Sequence, residues 1–264
     1  MVVKINDAPE EAQHERVLLY AESNMGKSFS VLCLAEYLNE TSPDSKIWVL
    51  DPDRGIQKAW KQEKPAVKIK YIATPDWPTL EEALDHIEDQ ISPNDWVVCE
   101  MMGRYWEMAQ SYEVGEVYGS KAGEYLLLAR QKAIQDAKSN KPATLSSVDW
   151  QVVKKLHNDD FADRVASWDC NILWTTAADR LIQELDAPQT LSTFESVGFK
   201  PDGEKRNVHR VDTAMFMYKN AKGRYITTVK DRGRPLMTDL AIGSNIWVSF
   251  DSALRGKGFN FFHE

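Results

Sequence analysis

One junction constrains the fold of this chain more than any other feature. The apolar run Val17-Leu-Leu-Tyr20 has the length of a buried strand, Ser28 to Asn39 has the patterning of a helix, and the two meet through Ala21-Glu22-Ser23-Asn24-Met25-Gly26-Lys27-Ser28. Strand, short loop and helix in that order form the repeating unit of open parallel sheets. Further strand-length runs follow at Ile47 to Leu50, Val67 to Ile72, Trp96 to Cys99 and Asn171 to Thr175, with helical sequence between several of them. After Trp77, Thr79 is the expected N-cap and Glu82 the partner in a capping box. Val211 to Tyr218, Tyr225 to Lys230 and Ile246 to Phe250 read as hairpin-like strands. The expected fold is therefore α/β, a mostly parallel central sheet flanked by helices and closed by a C-terminal antiparallel hairpin.

A chain of 264 residues, 43% hydrophobic and 27% charged, suits one large domain spanning 1–264 and excludes disorder or a coiled coil as the main architecture. Two intervals exceed the short loops of a minimal α/β unit. Glu107 to Asp149 reads as a helical insertion, with Tyr125 to Ala137 as helix, and Ala177 to Arg210 as a long functional or partly disordered loop. No apolar run approaches the roughly 20 residues of a membrane span, and the acidic start is unlike a leader peptide. The expectation is a cytoplasmic protein with no membrane partner. Cys33, Cys99 and Cys170 are far apart in apolar surroundings and read as buried thiols.

The net charge of −8 argues against nonspecific coating of nucleic acid, but it is unevenly distributed. Between Gly198 and Arg234 there are ten lysines and arginines against four acids. The acidity belongs to the remainder.

Chemistry concentrates at the first junction. Consecutive backbone N–H groups in a loop that opens a helix wrap phosphates, so residues 21–28 with Phe29 form a candidate nucleotide-binding loop. Lys27 would reach the β- and γ-phosphate oxygens, and the Ser28 hydroxyl would hold Mg²⁺. Asp51-Pro-Asp53 and Glu100 each follow an apolar strand, at the edge where α/β sheets bind ligands. A carboxylate is needed there to hold the metal and another to orient water. Thr175-Thr176, at a third strand end, is a candidate sensor of the terminal phosphate. Trp60 and Trp106, just past that edge, suit packing better than stacking on adenine. Along Tyr225-Ile-Thr-Thr-Val-Lys230-Asp-Arg232 the strand period puts Lys230 and Arg232 on one face, so both cations can reach one target.

Gly26-Lys27-Ser28, the Asp51-Pro-Asp53 strand end, Glu100 and Lys230-Asp-Arg232, in that order, resemble the RecA-like P-loop ATPases. The likeness is especially to the small phage- and virus-encoded RecA-like (AAA-type) ATPases of DNA recombination and replication. It runs from about Arg16 to Arg234, with Glu107 to Asp149 unmatched. The resemblance implies ATP and Mg²⁺ as cofactors, held by the loop, Ser28 and Glu100. It also implies Asp53 as the water-orienting carboxylate, and Lys230 and Arg232 as a paired finger reaching a neighbour's nucleotide in a homo-oligomeric ring or filament. The Ala177 to Arg210 loop would contact single-stranded DNA through Lys200, Lys205, Arg206 and Arg210, with Phe199 as a base stacker. The host cytoplasm would be the setting if the source is viral. Asp53 is one methylene shorter than the glutamate usual there, and displacements of about 1 Å can cost on the order of 100-fold in rate, so the expected hydrolysis is slow and DNA-stimulated. A P-loop kinase or packaging motor, and a nucleotide-binding assembly protein with little turnover, are the alternatives.

Overall fold

The structure is a computed structural model and describes residues 14–63, 69–119, 121–135 and 145–261. The acidic start, the first two residues of the expected Val67 to Ile72 strand and the last two of the expected Tyr125 to Ala137 helix lie outside these. Parallel strands form where apolar residues run unbroken, because helices cover both faces of such a sheet. β1 (Arg16–Ala21) leads into α1 (Lys27–Thr41), β2 (Ile47–Asp51) into α2 (Gly55–Glu63), and β3 (Ile69–Ala73) into α3 (Trp77–Glu88). β4 (Trp96–Glu100) is followed by the helical region α4 (Met102–Tyr118), α5 (Ala122–Gln135) and α6 (Ser147–Lys155), then a π-helical stretch at Leu156–Ala162 and α7 (Asp163–Ala166). β5 (Asn171–Arg180), α8 (Pro188–Phe194), β6 (Phe199–Pro201) and α9 (Asn207–Arg210) precede the hairpin of β7 (Thr213–Asn220) and β8 (Gly223–Asp231), and β9 (Leu240–Ala241) and α10 (Ile246–Arg255) end the chain's elements.

The sheet runs β3-β2-β4-β5-β1-β7-β8-β9, with β6 paired to β5. Neighbours from β3 to β7 are parallel, whereas β8 and β9 join antiparallel. Period-two alternation divides the core. Val17, Leu19 and Ala21 face α1 and α10, while Leu18 and Tyr20 face α3 and α4. The crossover from β1 to β2 leaves β5 and β4 between them, so the ends of β1, β5 and β4 lie side by side at one edge.

Three expectations need correction. The N-cap of α3 is Asp76, whose Oδ1 accepts from the Thr79 N–H at 2.9 Å; Pro78 already fits the first turn, so the helix starts before Thr79. Ile246 to Phe250 is helix, not strand. Asn245 caps it, accepting from the Trp247 and Val248 N–H groups at 2.9 and 3.4 Å, and Ile246, Trp247, Phe250 and Leu254 make one buried face at helical spacing. Ala177 to Arg210 is not a free loop, because β5 continues to Arg180 and α8, β6 and α9 fold the rest onto the sheet.

Trp247 anchors this arrangement beside α1. It is fully buried, its Nε1 donates to the Ser30 carbonyl at 2.7 Å, and its ring stacks on Phe261. Trp247→Phe should cost about 1–3 kcal/mol for the abandoned carbonyl, and Trp247→Ala about 3–5 kcal/mol, measured by urea denaturation.

Arg234, whose guanidinium lies 5.9 Å from the centre of the Phe261 ring, ties the hairpin to the start of β1. It donates to both Glu15 oxygens at 2.7 and 3.0 Å, to Asp231 at 3.1 Å and to the Thr213 hydroxyl at 2.8 Å. One guanidinium thus serves two buried carboxylates. Burial pushes the Glu15 carboxyl up to about 7, against the pull of Arg234. Folded protein therefore keeps a proton that the unfolded chain has already released, so this group's contribution to stability falls as pH rises from the ordinary carboxylate range through about 7. Wild type should lose thermal stability relative to Glu15→Gln between about pH 5 and pH 8; a constant difference in Tm would contradict this.

Candidate phosphate-binding site

The loop from β1 to α1 turns on two residues with left-handed backbone, Asn24 at φ 63° and Gly26 at φ 107°. Gly26 is the N-cap of α1, and no side chain caps the helix. The first-turn N–H groups therefore have no side-chain acceptor at the position an anion would take. Lys27 folds back over the loop, its Nζ donating to the Ala21 and Glu22 carbonyls at 2.8 and 3.0 Å. The side chain is buried, which pulls its pKa down, while Glu100 pulls it back up. Ala21 is the last residue of β1, paired with Ala177 and Met217. Extended backbone there suits alanine, so its Cβ brings no left-handed strain.

Glu100 closes the site from two strands away. Its Oε1 accepts from the Ser28 hydroxyl at 2.6 Å and its Oε2 from the Thr175 hydroxyl at 2.5 Å. Register explains the meeting: Glu100 lies opposite Thr175 on β5, and Thr175 lies opposite Leu19 on β1. Only 4% of the Glu100 residue is exposed, and burial raises its pKa despite both hydroxyls and the Lys27 charge. Thr175, a candidate sensor of the terminal phosphate, donates to this carboxylate. Thr176, on the other face, donates to the Asp202 carbonyl at 2.9 Å.

The two acids after β2 separate. Asp51 is fully buried and caps α2, accepting from the Gly55 and Ile56 N–H groups at 3.2 and 3.0 Å. Asp53 pairs with Arg104 of α4 at 3.0 Å, and Arg104 also holds Glu107. The turn itself is close to the loop, since a Cβ on Gly55 would lie 3.4 Å from the Ser28 Oγ. Asp53 thus shares the edge with Ser28 and Glu100, but bonds to neither.

Lys230 and Arg232 do share a face. Lys230 donates to the Val208 carbonyl at 2.7 Å and to that of Val211, and Arg232 to the His209 carbonyl and the Asp212 carboxylate at 3.1 and 3.2 Å. Burial, reinforced by Arg232, lowers Lys230 to about 8. Both sit at the start of β7, across the sheet from the phosphate loop.

Of the expected DNA contacts, Lys205 and Arg206 are exposed. The others have partners within the chain, which corrects the picture of an open loop. Phe199 stacks on Phe216 with centroids 5.1 Å apart, Lys200 pairs with Asp186, and Arg210 holds Asp163 at 2.6 and 3.0 Å with its side chain 7% exposed. Trp106 packs on Trp150, and Trp60 against the core below α1. Sequence reading missed Arg224 of β8, whose Nη1 would lie 3.6 Å from a Cβ on Gly26. Only the hairpin register brings it there.

No family model matches this chain, and no curated protein sequence matches it. Among solved structures it is similar to the KaiC-like protein PH0186 from Pyrococcus horikoshii OT3, a hyperthermophilic archaeon, at 10% identity and a TM-score of 0.43, over 84% of this chain and 82% of that one.

Thr175→Val keeps the side chain's shape and removes one of the two hydroxyls on Glu100. It should cost about 1–3 kcal/mol in urea denaturation, because Oε2 is left buried without a donor. Unchanged stability would mean that Glu100 does not depend on this bond.

Proposed function

We propose that this chain binds Mg·ATP and hydrolyses it, in a ring or filament coupled to single-stranded DNA. The observation that carries the reading is the convergence of Ser28, Glu100 and Thr175 beside Lys27 and the uncapped start of α1. Among the described residues no group of three or more His, Cys, Asp or Glu could hold a metal ion. The pair formed by the Ser28 hydroxyl and Glu100 nonetheless suits Mg²⁺, a hard cation that commonly takes one or two protein oxygens and completes its shell with water and substrate phosphates. Bound there, Mg²⁺ would neutralise charge on the phosphates.

The chain's own groups supply the rest. Lys27 exchanges two neutral carbonyls for charged phosphate oxygens, which makes charge-assisted and shorter bonds. The α1 N–H groups take further oxygens. Asp53 orients the attacking water from the neighbouring turn, with Arg104 fixing its direction. Lys230 and Arg232, at the far edge, can serve only the nucleotide of another subunit. Lys205 and Arg206 are the exposed cations of the proposed DNA contact. A setting in phage or viral recombination or replication rests on the sequence resemblance. The Asp53–Arg104 pair also favours a second reading, nucleotide-driven assembly with little turnover, since an aspartate held by arginine is less free to position water.

Lys27→Ala should weaken Mg·ATP binding by roughly 10- to 100-fold, the equivalent of hydrogen bonds to a charged group. Asp53→Asn should keep binding and lower turnover on the order of 100-fold. ATP binding and turnover unaffected by Lys27→Ala would falsify the proposal. Binding and assembly with no hydrolysis, with or without single-stranded DNA, would select the second reading.

A further inference from the structure

Lys27, the α1 N-terminus and Glu100 account for one side of the loop. The other side faces the hairpin. Gly26 lies directly beneath the Arg224 guanidinium, with a notional Cβ 3.6 Å from Nη1 and 3.9 Å from Cζ. Arg104, Arg164, Arg210, Arg232, Arg234 and Arg255 each hold a carboxylate, whereas Arg224 is exposed and has no ion pair among the described residues. Its cross-strand partner in the register is another cation, Lys219. An arginine left unpaired beside a cradle of backbone N–H groups is poised for an anion in that cradle.

The topology indicates from which side it meets the ligand. Glu100 and Thr175 lie on the β4–β5 side of β1, and Arg224 lies on the β7–β8 side. With Ser28 and Glu100 on one side of the loop, Arg224 approaches the same loop from the other.

Resting on the nucleotide-binding reading, we infer that Arg224 is a phosphate-binding residue acting in its own subunit. The guanidinium fork contacts a phosphate oxygen from outside the loop, opposite Lys27. The chain thus divides the cations of one hairpin between two nucleotides, Arg224 for its own and Lys230 with Arg232 for a neighbour's.

Titration of adenosine, AMP, ADP and ATP into the full chain, by calorimetry with Mg²⁺ present, tests this. Arg224→Ala should weaken ADP and ATP binding about tenfold, the size of one charge-assisted hydrogen bond, and leave adenosine unchanged. Arg224→Lys should recover only part of the loss, because it keeps the charge without the fork. Lys154→Ala, on the exposed surface of α6, removes an equal charge elsewhere and should have no effect. Equal ATP affinity in wild type and Arg224→Ala, with Lys27→Ala still defective, would overturn this inference and leave the function intact. Equal weakening by Lys154→Ala would also overturn it, by reducing the effect to net charge. If wild type binds none of the nucleotides, the function itself fails and the inference with it.

Discussion

The site depends on a carboxylate placed where carboxylates are costly. Glu100 ends a strand whose every residue is buried, in the middle of a sheet covered on both faces. An ionised group there needs partners, and two hydroxyls and a nearby ammonium only partly supply them, so its pKa stays raised. The site is therefore short of positive charge at one defined point. The same shortage links three elements: Glu100 ends β4, Thr175 brings in β5, and Ser28 brings in α1 together with the Lys27 charge. One side chain thus bonds to both the helix and the neighbouring strand, and a divalent cation held by Ser28 and Glu100 would supply the missing charge.

The hairpin shows why net charge along a sequence is a poor map of a surface. Arg224 and Lys230 are six residues apart on β8, roughly 20 Å at strand rise, and serve opposite edges of the sheet. Much of the basic excess between Gly198 and Arg234 is consumed inside the molecule. Lys200, Arg210 and Arg234 bond to Asp186, Asp163 and Glu15, and Lys230 is tied to backbone carbonyls. Lys205, Arg206, Lys219 and Lys222 remain at the surface, and Arg224 at the loop. A contact with a polyanion would be confined to these places.

The strand-to-helix junction was legible because backbone chemistry is local: apolar residues of strand length, a glycine at positive φ and a helix start are all written within twelve residues of one another. Glu100 was legible for a similar reason, as an acid closing an apolar run. Ile246 to Phe250 was misread because five apolar-rich residues fit either period, and the deciding features, the Asn245 cap and Leu254 a turn beyond Phe250, lie outside the run. The folded nature of Ala177 to Arg210 was hidden because β6 has three residues and is defined by its pairing with β5, a contact no local pattern announces. Arg224 was missed for the same kind of reason, since its place over Gly26 follows from register across three strands.

That register also joins the site to the segment beyond it. Thr175 and Thr176 are consecutive on β5 and so point to opposite faces. The first holds Glu100 on the α1 side, and the second holds the Asp202 carbonyl on the α4 side. Asp202 and Gly203 press on the first turn of α4 so closely that a Cβ on Gly103 would fall 2.5 Å from the Asp202 Oδ2, and one on Gly203 3.3 Å from the Gly103 Cα. α4 itself begins two residues after Glu100. The carboxylate of the site and the turn that leads to Lys205 and Arg206 are thus fixed to the same two elements, with no flexible linker between them. A shift of Glu100 that moved β5 or the start of α4 would have to move the Asp202–Gly203 turn as well, because packing this tight leaves no space to absorb it.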